Sequence, residues 1–256
     1  MLKKLINSQI WLSRSFDKLL PHKYRIDGNQ DYINSLVPKY LGKNITMYDI
    51  GGGKRPYLSV KEKEELNAIV VGVDIDGDEL SRAPLGAYDE VIISDISKYK
   101  GYAKADVLVC QAVLEHVKDV ERAFEGISSA LKPDGLALIF VPSRSAIFAK
   151  LNVLLPQKIK EYILYLIYPE AKEDQGFPSY YNKCTPEEFK RMAAKNGLSV
   201  IEERYYFISN YFSFFFPAYL VWRIWVLLFS LLYGDQAAET FSLVAKKMDN
   251  TREKEV

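Results

Sequence analysis

Cysteine and histidine are scarce in this chain, with two of each in 256 residues. Cys110 and Cys184 are too few for a disulfide framework, and the expected setting is reducing and cytoplasmic. Cys110 closes an apolar run and reads as a small core residue. No zinc-ligand spacing occurs, so no metal is expected, and no G-x-S-x-G elbow exposes a serine nucleophile. An excess of one charge is also lacking. Lys and Arg total 34 against 33 Asp and Glu, a net +1 without the basic stripe of a nucleic-acid binder. The first 20 residues have no continuous apolar core, so they do not read as a signal peptide. No internal repeat is present.

An apolar fraction of 48% supports one large α/β domain with insertions. Residues 2–20 read as an amphipathic helix, with Leu5, Ile6, Leu12, Phe16 and Leu19 near one face and Lys3, Lys4, Arg14 and Lys18 largely away from it. Two readings are open: a helix packed on the domain, or a basic helix lying on a membrane. A second helix is expected over 29–41. From 45 to 142, strand and helix patterns alternate, which predicts a parallel sheet covered by helices on both faces.

One strand of that alternation runs into a glycine-rich turn, Tyr48-Asp49-Ile50-Gly51-Gly52-Gly53-Lys54-Arg55-Pro56. A second, about 20 residues on, ends in acid at Val73-Asp74-Ile75-Asp76. Glycines let backbone approach a ligand, and a carboxylate at the second strand's end accepts from ribose hydroxyls. The dinucleotide pattern G-x-G-x-x-G fails at its third glycine, where Pro56 offers no N–H. Asp74 is the expected ribose ligand and Asp76, two residues on and on the same side, is its rival.

The D-x-G-x-G turn of Asp49, Gly51 and Gly53 resembles that of class I S-adenosylmethionine-dependent methyltransferases, close to the type 11 group. Four further segments resemble the family in order: 89–96 ending in Asp95 and Ile96; 105–117 with Leu114-Glu115-His116-Val117; Leu131-Lys132-Pro133-Asp134-Gly135 before an apolar run; and Thr185-Pro186-Glu187-Glu188-Phe189. The resemblance covers roughly 45–145 and 184–247. It departs at Arg55 and Asp134, where the family often has glycine. It implies a Rossmann-like, doubly wound α/β sheet of seven strands, mostly parallel with an antiparallel last strand, plus hydrophobic helical insertions. It also implies S-adenosyl-L-methionine as cofactor. Asp49 would orient the turn and the methionine amino group, Asp74 and Ile75 would take the ribose side, and Asp95 and Ile96 the adenine. Gln111 would line the floor beneath the methionine moiety. The plainer readings are a helix cap for Asp95 and a solvated turn for Gln111.

The expected organisation is N-terminal helices over 1–44, a cofactor-binding core over 45–144, a helical lid and acceptor insertion over 145–184, the rest of the core over 185–248, and a disordered tail over 249–256. A second insertion, 207–234, interrupts the last part. From Tyr205 to Trp222 no residue is charged, and Arg223 is the only charge before Asp235. One crossing would strand the last β-strand across the membrane, and two need about 40 residues where the segment has about 30. The expectation is a helical hairpin broken near Pro217, lying in the membrane interface with Arg223 snorkelling to headgroups. A dimer interface and an internal hydrophobic layer are the alternatives.

A hydroxyl acceptor must lose a proton as it attacks the methyl group, which calls for a base of suitable pKa. His116, after the fourth strand, is the candidate; the alternative is a structural histidine near a helix start. Glu115 is expected to face solvent. Tyr180, Tyr181 and Lys183 are expected near the acceptor pocket. The predicted activity is methyl transfer to a small or lipid-linked acceptor, a glycan or sugar hydroxyl or an isoprenoid ring, at the membrane face. Membrane contact is expected through 207–234 and through 2–20. The alternative is a non-catalytic, cofactor-binding membrane partner.

Overall fold

The computed structural model describes residues 2–154, 177–208 and 212–249. Apolar runs such as Val70-Val71-Gly72-Val73 and Val107-Leu108-Val109-Cys110 are buried on both faces, as parallel strands between helices must be. Seven strands form one sheet: β1 (Thr46–Ile50), β2 (Ile69–Asp74), β3 (Glu90–Ile93), β4 (Ala105–Gln111), β5 (Leu131–Pro142), β6 (Leu198–Tyr206) and β7 (Thr240–Lys247). Their order is β3-β2-β1-β4-β5-β7-β6. The first five are parallel, and β7 runs antiparallel to both β5 and β6. This is the Rossmann-like architecture expected. The order reverses between β1 and β4, which opens a crevice beyond their carboxyl ends.

One face of the sheet packs Phe124, Phe189 and Phe241, whose rings meet edge to face at 5.2 Å in each contact. The other packs Tyr32, Leu36, Val107 and Leu138. Tyr32 is fully buried, and its hydroxyl donates to the Leu138 carbonyl at 2.7 Å.

The helices are α1 (Leu2–Asp17), α2 (residues 28–40, with a π turn over Tyr32–Leu36), α3 (Val60–Leu66), α4 (Gly77–Ser81), α5 (Val120–Ala130), α6 (Ile147–Leu154), α7 (Pro186–Lys195) and α8 (Phe216–Tyr233). Side chains set their starts. Ser59 and Glu62 form a capping box on α3, and Asp76, Asp119 and Thr185 cap α4, α5 and α7. Asp134, where a glycine was expected, holds the left-handed turn at φ 64° and pairs with Lys246 at 2.8 Å.

The insertion between β6 and β7 differs from its expectation. Pro217 does not break a hairpin. It stands in the first turn of a single 18-residue helix, where a missing N–H costs nothing. Arg223 does not snorkel. Its side chain is 0% exposed, its Nε is 2.9 Å from Asp17 Oδ1, and its terminal nitrogens donate to the carbonyls of Phe207 and Tyr24. The Nε contact is a charge contact without hydrogen-bond alignment. Tyr219 donates to the same Asp17 carboxylate. One buried cation thus ties α8 to α1, to residue 24 and to the end of β6. α8 is long and apolar enough to cross a membrane. However, it leaves after β6 and returns to β7, whose ends pair at Tyr206 and Thr240. Of the lid insertion, α6 and residues 177–184 are described; the apolar run 162–168 and the tail beyond 249 lie outside the described residues.

Candidate active site

The β1 turn is built on backbone that only glycine adopts easily. Gly51 has φ 72°, and a Cβ there would overlap the Val113 side chain. Gly53 has φ 50°, and a Cβ there would lie 3.3 Å from Asp74 Oδ2. Gly53 therefore leaves room in front of the Asp74 carboxylate, while Gly51 lets the turn pack against Val113. A cavity of about 760 Å³ opens there, at the carboxyl ends of β1, β2 and β4. Asp49, Gly51, Gly53, Asp74 and Gln111, all expected in the site, line it, as does Asp76.

Asp49 is buried, and its Oδ2 accepts from the Tyr57 backbone N–H at 2.7 Å and from the Tyr88 hydroxyl at 3.4 Å. Burial raises its pKa to about 6, against the pull of those two donors. Tyr88 also donates to the Gly53 carbonyl at 3.1 Å, so one phenol braces the carboxylate and the turn together. Asp74 is buried and its pKa is raised, first by desolvation; its Oδ1 accepts from Asp76 N at 3.0 Å. Asp76 Oδ1 is occupied at the start of α4, accepting from Asp78 N and Glu79 N. Gln111 donates to Asn29 Oδ1 at 2.7 Å, which links the floor to α2. The next residue, Ala112, has φ 53°, an unusual conformation for a residue with a Cβ.

Three expected residues are not brought into the cavity lining. Ile75 is exposed beside Asp74. Asp95 lies two residues past β3, and its Oδ1 accepts from Ser97 N at 2.9 Å and Ser97 Oγ at 2.7 Å. Ile96 is buried in the core. His116 does not line the cavity either. Its Nδ1 is 3.0 Å from the Pro178 carbonyl and 3.3 Å from Ser179 Oγ, behind a wall where Phe177 and Pro178 do line it. Burial lowers the His116 pKa, opposed by the carbonyls of Pro178 and Phe177.

Glu115 is not solvent-facing, in contrast to expectation. It is buried, its Oε2 has no partner, and burial raises its pKa to about 8. Tyr181 is buried in the core, while Lys183 pairs with Glu121 at 2.5 Å. The sequence reading missed Tyr57, which directly follows the glycine turn, and Tyr88 and Glu79, which lie more than 20 residues beyond it. Glu79 draws Lys54 to 3.8 Å and pairs with Arg82 at the cavity mouth.

A glycine cradle facing a buried carboxylate at a switch point defines a nucleoside-cofactor site. The sequence model of a methyltransferase-domain family matches residues 22–203, and the chain belongs to that family. It is an S-adenosyl-L-methionine-dependent methyltransferase. It is 29% identical over 173 residues to a ubiquinone biosynthesis O-methyltransferase of Glaesserella parasuis, spanning 62% of this chain and 70% of that one. It is 26% identical over 171 residues to the enzyme of the same name from Cupriavidus pinatubonensis, over 64% of this chain and 63% of the relative. Among solved structures, phosphoethanolamine N-methyltransferase 2 of Haemonchus contortus superposes with TM-score 0.54 at 17% identity, over 93% of this chain and 57% of that one. An S-adenosylmethionine-dependent methyltransferase from Mesorhizobium loti gives 0.54 at 17% identity, over 86% and 98%. These two likenesses concern the fold.

Proposed function

We propose that the protein methylates the ring hydroxyl of an isoprenoid-linked acceptor at a membrane face. The curated relatives carry names of that chemistry, ubiquinone biosynthesis O-methyltransferases. The observation that carries the membrane part is the placement of α8. Its apolar outer face, Val221, Ile224, Trp225, Leu228, Leu231 and Leu232, is exposed. The helix follows β6 at the end of the sheet where β1, β4 and β5 also have their carboxyl ends.

The cofactor supplies a methyl group already activated on a sulfonium. The chain's task is then to hold donor and acceptor in line and to exclude water. Gly51 and Gly53 admit the cofactor to the backbone. Asp49 would face its ammonium group, and Asp74 would take the ribose diol with Ile75 beside it. Asp95, outside the cavity lining, would hold the adenine amine through the carboxylate oxygen not engaged by Ser97, with Ile96 backing the ring from the core. Gln111 and the strained Ala112 form the floor. His116 keeps the Phe177–Ser179 wall in place through Nδ1; proton acceptance through Nε2 is the second role its chemistry allows.

The test is to incubate the purified protein with methyl-labelled cofactor and a polyprenyl catechol in vesicles, then partition the products. Label in the organic phase supports the reading. Label that follows only water-soluble acceptors from a cell extract refutes it.

A further inference from the structure

α8 is divided cleanly along its length. Tyr219, Trp222, Arg223, Val226 and Ser230, at helical spacing, are buried against the domain. The opposite stripe, from Val221 to Leu232, is wholly apolar and exposed. This is the reverse of the polar outer face of a helix packed on a soluble domain. α1 lies against α8. Ser13 Oγ donates to the Ser213 carbonyl at 3.0 Å, Phe216 N donates to Gln9 Oε1 at 3.0 Å, and the rings of Phe16 and Phe216 meet at 6.4 Å. α1 too leaves apolar side chains outside. Leu5 and Leu12, seven residues apart, fall on one line down the helix, with Trp11 to one side and Leu19 exposed in the turn that follows.

Charge on this two-helix unit is one-sided. Lys3, Lys4, Arg14, Lys18, Lys23 and Arg25 are exposed. The only acid in residues 2–26 is Asp17, and it is buried against Arg223. Two copies meeting through this face about a two-fold axis would bring like charges together. An anionic bilayer would neutralise them while its hydrocarbon takes the apolar stripes.

We infer that α1 and α8, locked together by the Asp17–Arg223 pair, form one docking surface for an anionic lipid bilayer. The inference rests on the membrane-face reading above and supplies the partner that reading leaves open. The helices lie in the interface rather than crossing it, with Trp11 and Trp225 at headgroup depth and the basic fringe on lipid phosphates. α8 carries the apolar contact and α1 the lipid selectivity.

The chain's three tryptophans make the geometry testable. Trp11 is 66% and Trp225 52% exposed, whereas Trp222 is 4% exposed. Single-tryptophan proteins, the other two replaced by Phe, are mixed with vesicles whose acyl chains carry bromine. The vesicles are pure phosphatidylcholine or a mixture with phosphatidylglycerol. Expected is quenching of Trp11 and Trp225 but not Trp222, in the anionic vesicles only and lost at high salt. The quadruple variant Lys3→Ser/Lys4→Ser/Arg14→Ser/Lys18→Ser should bind anionic vesicles at least about 10-fold more weakly, through the loss of four cations at a negative surface. Its cofactor affinity should be unchanged. Equal binding to neutral vesicles, or quenching of Trp225 alone, overturns the joint surface. A concentration-dependent dimer that ignores vesicles assigns the face to a second copy. Cofactor affinity, measured without lipid on the same samples, reports separately: its loss in the unaltered protein would sink the methyltransferase site and not the docking surface.

Discussion

Asp49 and Asp74 sit 25 residues apart on neighbouring strands, yet both carboxylates face one cavity, and both are held partly out of water. Their roles separate by pH. Asp49 titrates at about 6 because it is buried. A cofactor ammonium favours its ionised form, so cofactor affinity should rise from pH 5 to 7 and level off above. Asp49→Asn should weaken binding and flatten that profile, as read by calorimetric titration across pH. Asp74→Ala should weaken binding by roughly 10- to 100-fold at every pH, the loss of one or two hydrogen bonds to a charged group; unchanged affinity would place the ribose elsewhere. His116 is tested by paired substitutions. Asn can still donate to the Pro178 carbonyl, whereas Ala cannot. If His116 holds the wall, Asn should restore most of the kcat that Ala loses, and the pH profile of kcat should keep its shape in both. If it accepts the proton, both variants should lose rate alike and the acidic limb should vanish.

At the scale of elements, α8 shows what a local pattern conveys and what it does not. The glycine turn and the five parallel strands were legible because each depends on residues within a few positions of one another; the cap at Asp76 was not, having been read as a rival ribose ligand. Strand β3 ended two residues earlier than its pattern suggested, which moved Asp95 off the strand and into a turn with Ser97. Arg223 was misread because its partner, Asp17, is 206 residues away in sequence. Nothing near position 223 announces an acid. Tyr88, 39 residues from Asp49, was missed for the same reason. The Asp17–Arg223 contact should be costly to break from one side. Arg223→Met leaves the buried Asp17 carboxylate without its cation and the carbonyls of Phe207 and Tyr24 without their donor, a loss of about 3–5 kcal/mol. Asp17→Leu strands the guanidinium at comparable cost. The double variant should be more stable than the sum of the singles predicts by at least about 1 kcal/mol in urea unfolding. Strict additivity would mean that the two charges do not support one another.

For the whole molecule, the three buried carboxyls whose pKa values are pushed up furthest lead the response of stability to pH, with Asp17 and Asp74 shifted in the same direction. Burial raises Asp49 to about 6, Glu239 to about 7 and Glu115 to about 8. Glu115 escaped the sequence reading because it lies in a single 3₁₀ turn, Leu114–His116, too short for any periodicity to show which side chain turns inward. A carboxyl whose folded pKa lies above its unfolded value holds its proton more tightly in the native state. Its contribution is complete below the unfolded pKa and is lost as pH rises through the folded one. Each such group lowers stability by up to about 1.4 kcal/mol per pH unit within its window. The windows overlap between about pH 5 and 6 and only Glu115 remains active near pH 8. The unliganded protein should therefore be most stable at mildly acidic pH, with a urea midpoint that falls steeply from pH 5 and more gently from 7 to 8. Glu115→Gln, which keeps the shape without the proton, should remove the fall between pH 7 and 8 and lessen the slope below 6 by one group's share, leaving that of Asp49 and Glu239. A profile that Glu115→Gln does not alter would mean that water reaches the carboxyl beneath the β4 turn. Added cofactor should flatten the lower limb alone, since of the three groups only Asp49 lines the cavity.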